Sequence, residues 1–189
     1  MTILRERGLA ACGALAVLLA TLSGCGTDTP VEIPTQQPTS TPIFASDEEA
    51  LAAAQEAYAA YLSVSDEVFR QGGGAQESLN QVAIGSALAG ALSDAAEFKD
   101  SSIHATGETE LDAFTLQSYS RAVVPDETVV AAYACENIEN VGLVDREGNS
   151  LVKEGRPNLQ EFQVVLTFSS ERNRLLLSER DPWGGGGVC

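Results

Sequence analysis

Cysteine and histidine are the residue types in this chain that could carry chemistry most directly. A thiolate is a nucleophile, and an imidazole exchanges protons near neutral pH. The chain has four cysteines and one histidine, His104. A lone histidine cannot form a two-histidine metal site, and His104 has no motif partner, so a general-base role for it is only an alternative. The sequence also contains no Gly-x-Ser-x-Gly, phosphate-loop, His-Glu-x-x-His or Cys-x-x-Cys motif. We therefore predict no catalytic residue, no metal ligand and no cofactor.

Cys25 follows directly after an apolar run near the N-terminus. Residues 9–22 read LAACGALAVLLATL, and Arg5 and Arg7 precede them. The run is shorter than the roughly 20 residues needed to cross a hydrocarbon core. It has the length and flanks of the central region of a signal peptide. Residues 1–24 are therefore predicted to be a signal peptide, with an uncleaved anchor or a buried helix as the alternatives.

The four residues Leu22-Ser23-Gly24-Cys25 match the Leu-x-Gly-Cys lipobox, and here the chain resembles the bacterial prolipoproteins. The resemblance implies that the Cys25 thiol receives a diacylglyceryl group and that the chain is cut just before it. Two acyl chains hold a protein on a membrane stably, whereas one binds only marginally. The implied location is the extracytoplasmic face of the cell membrane. A spare thiol or a disulfide partner is the alternative for Cys25.

Two cysteines remain if Cys12 leaves with the signal peptide and Cys25 carries lipid. Cys135 and Cys189 would then be an even pair in an oxidising compartment. We predict that they form a disulfide, and two free buried thiols are the alternative. The bridge would close a loop of roughly 54 residues, for which the chain-entropy estimate is about 4 kcal/mol. It would also hold the glycine-rich residues 184–187 in place.

The charge of the chain excludes some partners. The formal net charge is −16, and loss of Arg5, Glu6 and Arg7 with the leader makes it −17. Such a protein would repel phosphate backbones and anionic lipid head groups, which disfavours nucleic-acid binding and polybasic membrane contact. The acidic surface is expected to be a solvated face, and the Cys25 lipid would be the membrane contact.

Residues 25–45 are predicted to be the lipidated cysteine and a tether. The segment GTDTPVEIPTQQPTSTPIFA is rich in Thr, Ser, Gln and Pro, with a proline at every fourth position from Pro30 to Pro42. It cannot bury enough apolar surface to offset its ordering entropy. It is typical of a semi-extended spacer.

Residues 46–189 are predicted to form the folded domain. Ser46 and Glu49 make a capping box that begins an amphipathic helix, and this helix ends before Gly72. A second helical region, at about 76–98, is interrupted by Gly85 and Gly90, so we expect two shorter helices or a bent one. Tyr58 and Tyr61 are expected in the core, with a pocket lining as the alternative.

After the helices the pattern becomes β-branched and partly alternating, which indicates strands. Asp145-Arg146-Glu147-Gly148-Asn149 is acidic but lacks the spaced carboxylates of a calcium loop, and we expect a turn. The predicted strands are residues 101–106, 111–123, 128–137, 141–145, 159–168 and 175–177. Helices first and strands after give an α+β fold.

The domain also resembles the cone-shaped, cystatin-like fold of nuclear transport factor two and ketosteroid isomerase, and small actinobacterial lipoproteins of that build. The resemblance lies in the element order, in residues 130–135, in the hairpin 140–148 and in Trp183 to Cys189. It implies N-terminal helices packed on a curved antiparallel sheet. It also implies that Trp183 packs against that sheet.

Three functions fit these patterns. The first is a non-enzymatic, lipid-anchored domain that binds a protein, an envelope polymer or a small ligand. The second is an isomerase- or cyclase-like enzyme that uses the cone cavity and a desolvated carboxylate near Tyr58, Tyr61 or His104. The third is an accessory domain to a cell-wall enzyme. A closed apolar cavity that holds one carboxylate would favour the second function.

Overall fold

The computed structural model describes residues 43–120 and 129–189, all of which belong to one structural unit, Pro38–Cys189. The predicted signal peptide, Cys25 and residues 26–42 of the predicted tether lie outside the described residues. So do residues 121–123 of one predicted strand.

The first helix, α1 (Asp47–Arg70), begins and ends as its sequence predicts. The Ser46 hydroxyl accepts a hydrogen bond from the Glu49 amide, and the Glu49 carboxylate accepts one from the Ala45 amide at 2.7 Å. This pair resembles the predicted capping box, except that Glu49 binds the amide of Ala45, one residue before the N-cap, and not that of Ser46. The helix stops where Gly72 and Gly73 take positive φ angles of 62° and 77°, which residues with a β-carbon adopt at a cost.

The second helical region is divided in two, and the break falls at Gly85. A short 3₁₀-helix covers Gln76–Gln81, and α2 covers Gly85–Ser101. Gly85 has a φ of 58°, whereas Gly90 stays within the helix. The prediction of two shorter helices is confirmed. The expected strand start at residue 101 is wrong, because the helix continues to Ser101 and Ser102 caps it in the left-handed conformation.

The strands form two antiparallel sheets in the part of the chain that the structure describes. They are β1 (His104–Thr106), β2 (Glu110–Tyr119), β3 (Val129–Asn137), β4 (Gly142–Val144), β5 (Leu159–Ser169) and β6 (Arg174–Pro182). Strands β2, β3, β5 and β6 make a four-stranded sheet in that order, and β1 pairs with β4. The last strand extends beyond the predicted residues 175–177. The prediction ended too early because the residues that follow are charged and show no apolar alternation.

The segment after β4 is a turn, as predicted. The Asp145 carboxylate accepts hydrogen bonds from the Asn149 amide at 2.8 Å and from its side-chain nitrogen at 2.9 Å. Gly148 takes a φ of 85° within this turn. The Asp145 side chain therefore stabilises a local Asx-type turn.

The core lies between the helices and one face of the four-stranded sheet, so the predicted α+β fold is confirmed. Alternate residues of β3 and β5 are buried against the helices, as the two-residue period of a strand predicts. Helix α1 contributes small and aromatic side chains, with Tyr58 fully buried and Tyr61 6% exposed. The buried strand residues include Val130, Ala132, Ala134, Phe162, Val164, Leu166, Leu175 and Leu177.

The opposite face of the sheet carries the C-terminal residues. Cys135 and Cys189 form the predicted disulfide. The Trp183 ring lies 4.8 Å from the Tyr133 ring, and the Trp183 amide donates to the Glu161 carbonyl at 2.8 Å. The prediction that Trp183 packs against the sheet is confirmed.

No helix within residues 43–120 and 129–189 is both long enough and apolar enough to cross a membrane.

Two glycines provide a matched test of helix packing. A β-carbon at Gly73 would lie 1.9 Å from the Ala95 carbonyl oxygen, whereas one at Gly90 would meet nothing within 4 Å. We expect Gly73→Ala to lower the free energy of unfolding by about 3 kcal/mol or more. Gly90→Ala should raise it by about 0.5–1 kcal/mol. Urea denaturation followed by circular dichroism measures both, and equal effects would contradict this packing.

Candidate functional site

Glu136 is an acidic side chain in the interior of the domain. It lies on β3 at the position that follows Val130, Ala132 and Ala134 on the helix-facing side, and it is 2% exposed. A buried carboxylate is costly unless it is paired and hydrogen-bonded. Its partners therefore decide what this part of the molecule can do.

A β-bulge in β6 supplies the partner. Leu166 pairs with Leu177 and Val165 pairs with Glu179, so Ser178 is an extra residue in β6. Directly opposed residues of antiparallel strands point to the same face. Because of the bulge, Arg180 lies opposite Val164 and faces the helices, while Glu179 faces away. A regular β6 would place an acid, Glu179, on the same side as Glu136.

The Ser178 hydroxyl stabilises the bulge. It donates to the Val165 carbonyl oxygen and accepts from the Thr167 hydroxyl, each at 2.9 Å. The Ser178 carbonyl oxygen accepts from the Ser86 hydroxyl at 3.2 Å, at the start of α2. The position of Arg180 is thus fixed by hydrogen bonds from β5 and α2.

Arg180 donates hydrogen bonds to both carboxylate oxygens of Glu136. Its Nη2 donates to Oε1 at 2.8 Å and to Oε2 at 2.7 Å, and its Nε lies 3.2 Å from Oε1. The Nε also lies 3.1 Å from the Tyr58 hydroxyl oxygen, and that hydroxyl donates to Glu136. The Arg180 Cζ lies 3.4 Å from the centre of the Phe162 ring, a cation–π contact.

The electrostatics of the cluster keep Tyr58 neutral and Arg180 charged. Burial, together with the negative charge of Glu136, raises the pKa of Tyr58 well above its ordinary value. Burial opposes the charge of Arg180, but Tyr58 and Glu136 outweigh it and the net effect is a raised pKa. The opposite charges of Arg180 and Glu136 cancel. Both Glu136 oxygens accept hydrogen bonds from Arg180, and Oε1 also accepts the one from Tyr58.

A cleft of about 190 Å³ opens beside the cluster. Its walls come from both helices and from the strands, with Tyr61, Phe69 and Phe98 on the apolar side. Three carboxylates and one guanidinium line it as well: Asp66, Asp94, Glu136 and Arg180. The lining therefore combines apolar and charged side chains. The site expected for an isomerase- or cyclase-like enzyme is a closed apolar cavity with a single carboxylate.

Asp66 is the half-buried carboxylate of the cleft. Burial raises its pKa, although hydrogen bonds from Thr109 oppose the shift. The Thr109 amide donates at 2.8 Å and its hydroxyl at 3.0 Å. Both Asp66 oxygens are thus occupied by protein donors, as in the case of Glu136.

The structure places the sequence-predicted residues at different points. Tyr58 and Tyr61 lie in the core with their rings 6.0 Å apart, as expected, and both adjoin the Glu136–Arg180 pair. His104 is exposed, with Nδ1 3.3 Å from the Arg70 carbonyl oxygen, and it is not among the residues that line the cleft. Cys25 lies outside the described residues. No group of three or more potential metal ligands occurs in residues 43–120 and 129–189.

Glu136 and Arg180 were missed by the sequence reasoning. An inward-facing acid after Val130, Ala132 and Ala134 breaks the period-two pattern, so Glu136 could have been recognised from that signal. Arg180 could not, because its orientation depends on the bulge at Ser178.

The comparisons with known proteins identify no family. No protein-family model matches the chain, and no curated protein matches it. Among solved structures, the intermembrane space region of the chloroplast protein ARC6 is similar. The sequence identity is 16%, the TM-score is 0.49, and the match covers 70% of this chain and 95% of that chain.

Removal of one member of the ion pair tests the cluster. Arg180→Leu would leave the Glu136 carboxylate buried and unpaired, so we expect it to lower the free energy of unfolding by about 3–5 kcal/mol at pH 7. The double variant Glu136→Leu/Arg180→Leu should be more stable than Arg180→Leu alone, because no buried charge remains.

The matched control is Arg146→Leu, at an exposed arginine of the turn after β4. It should change the free energy of unfolding by less than about 0.5 kcal/mol. Urea denaturation at pH 7 measures all three variants. If Arg180→Leu behaves like Arg146→Leu, the pair does not hold the interior together.

Proposed function

We propose that the chain is a lipid-anchored, extracytoplasmic protein whose α+β domain binds another protein, an envelope polymer or a small ligand without catalysing a reaction. The observation that carries this proposal is the Cys135–Cys189 disulfide. Structural disulfides persist in oxidising compartments and are rare in reducing ones. The pairing therefore supports export, and the lipobox at residues 22–25 is the sequence feature that supports anchoring.

The buried polar cluster supports a non-catalytic domain. A general base must be able to approach a substrate proton, and a carboxylate that several protein donors hold in place is less free to do so. Both oxygens of Glu136 accept hydrogen bonds from Arg180, and Oε1 also accepts one from Tyr58. A carboxylate in this environment is better suited to joining β3, β6 and α1 than to transferring protons.

A second cavity supports the small-ligand form of the proposal. It has a volume of about 280 Å³ and lies between α1 and the ends of β5 and β6. Three alanines of α1 and the aromatic side chains of Phe44 and Phe168 are among the residues that line it. Predominantly apolar clefts with a few polar groups at the rim are typical ligand sites. The polar groups here are Glu56, Asn173 and Arg174.

The alternative, an isomerase- or cyclase-like enzyme, has one observation in its favour. The 190 Å³ cleft includes Glu136 and Tyr61 in its lining. Such an enzyme would need Glu136 to leave Arg180 when substrate binds. Steady turnover of a candidate substrate that is abolished by Glu136→Gln, with the fold intact, would favour this alternative.

Metabolic labelling with a fatty-acid probe tests the anchor. We expect the full chain to be labelled and to fractionate with membranes, and Cys25→Ser to lose both properties because the acceptor thiol is gone. The matched control is Cys12→Ser, which changes a cysteine of the predicted leader and should leave labelling intact. Labelling that survives Cys25→Ser would refute lipidation at this residue.

The binding half of the proposal needs a separate measurement. Crosslinking in intact cells followed by mass spectrometry should recover the same crosslinked species repeatedly. A cell-wall enzyme among them would assign the domain an accessory role. Absence of any species above the level seen with Cys25→Ser would contradict binding of a surface partner.

A further inference from the structure

The last seven residues, 183–189, form an arm that folds back over the sheet face opposite the helices. The arm begins where the Trp183 ring packs at a tilt against the Tyr133 ring, and it ends at the disulfide from Cys189 to Cys135. Between these anchors lie Gly184 to Gly187, of which Gly186 and Gly187 have positive φ angles of 69° and 85°. Four consecutive glycines lose much conformational entropy on ordering, so the arm needs strong contacts at its end.

One side chain holds the end of the arm besides the disulfide. The Glu161 carboxylate accepts hydrogen bonds from the amides of Val188 and Cys189, both at 2.9 Å to Oε1. Hydrogen bonds to a charged acceptor are stronger than those between neutral groups. These amides also lower the pKa of Glu161, with further contributions from the amides of Gly187 and Gly186.

The strand register places this clamp at the disulfide. Glu161 on β5 is the direct partner of Cys135 on β3. Directly opposed residues share one face of a sheet, so the carboxylate and the Cys135 sulfur point to the same side. A carboxylate that binds the Cys189 amide therefore holds the Cys189 side chain beside Cys135.

We propose that Glu161 is a positioning residue for the Cys135–Cys189 bridge, because it docks the arm whether or not the bridge is closed. The two thiols then stay close after reduction, and the bridge forms again instead of being lost. This role is independent of the proposed lipid anchor and of any ligand.

The exposures of the two cysteines set the order of the exchange. Cys189 is exposed, whereas Cys135 is 1% exposed. With glutathione disulfide as the oxidant, the Cys189 thiolate attacks one sulfur and one glutathione leaves as a thiolate. The Cys135 thiolate then attacks the Cys189 sulfur, the second glutathione leaves, and the bridge is closed. Two protein thiols are oxidised and one glutathione disulfide is reduced to two glutathiones.

Equilibration with glutathione and glutathione disulfide tests the proposal in the full chain carrying Cys12→Ser and Cys25→Ser. Trapping by alkylation and mass spectrometry gives the fractions of protein with the Cys135–Cys189 bridge closed and open. Their ratio at a known glutathione composition gives the effective concentration of one thiol relative to the other. We expect Glu161→Gln to lower it about tenfold, the order of one charge-assisted hydrogen bond. The matched control is Glu179→Gln, an exposed acid on the same sheet face, which should leave it unchanged.

Tryptophan fluorescence measures docking of the arm separately from the overall stability of the fold. Trp183 is the sole tryptophan in the sequence, so acrylamide quenching reports whether the arm is docked. In the reduced state, the parent and Glu179→Gln should stay shielded, and Glu161→Gln should become quenchable while its far-ultraviolet circular dichroism is retained. If Glu161→Gln does not fold, Glu161→Asp must show both effects.

Three outcomes would overturn the proposal. The first is an equal effective concentration for Glu161→Gln and Glu179→Gln. The second is a lowered effective concentration with unchanged quenching, which would mean that Glu161 acts on the thiols and not on docking. The third is a reduced parent whose tryptophan is already fully quenchable, because the arm would then depend on the disulfide alone.

Discussion

The ion pair between Glu136 and Arg180 is the interaction on which the interior of the domain depends. It joins the middle of the sheet to its edge strand, and the Tyr58 hydroxyl extends it to the first helix. A buried ion pair of this kind contributes little net stability compared with apolar residues of the same shape. Its effect is to fix which residues meet. The Glu136 carboxylate can be buried only because the Arg180 guanidinium lies beside it. The guanidinium reaches that position only because β6 contains one extra residue.

The side chains of neighbouring residues of β3 point to opposite faces of the sheet. Cys135 points to the face that carries the C-terminal arm, and Glu136 points to the helices. A slip of one residue in the register of this strand would exchange them, burying a thiol among the helices and exposing the carboxylate. The disulfide and the ion pair therefore specify the same register from the two faces. The pairing of β2 with β3 and that of β5 with β6 both contain register shifts, and this agreement explains how such a sheet can keep one arrangement.

Local signals in the sequence were sufficient for the elements whose structure depends on local chemistry. The capping box at Ser46, the glycines after α1, the break at Gly85 and the Asp145 turn each involve residues a few positions apart. The β-branched, partly alternating pattern predicted β3 and β5 as strands. The cysteine count predicted the bridge once one cysteine was assigned to the leader and another to lipid. These features need no knowledge of distant contacts.

The features that the sequence did not predict arise from contacts between distant residues. The separate pairing of β1 with β4 is a tertiary arrangement, and the second half of β6 has the composition of a loop. The orientation of Arg180 depends on Ser178, whose bulge is stabilised by β5 and α2. Glu161 has no local signal in the sequence, because its partners are backbone amides nearly thirty residues away. The candidate site was therefore less predictable than the fold.

Nitrogen-15 NMR of the arginine side chains tests most directly whether Arg180, Glu136 and Tyr58 form a neutral, hydrogen-bonded junction in the interior. A guanidinium held by Glu136 and Tyr58 should give a resolved Arg180 Nε–H signal that exchanges slowly with water, and its Nη signals should be separate because rotation is hindered. Glu136→Gln should abolish this pattern at Arg180 and leave Arg146 unchanged. A freely rotating, rapidly exchanging Arg180 guanidinium in the unaltered protein would contradict the account.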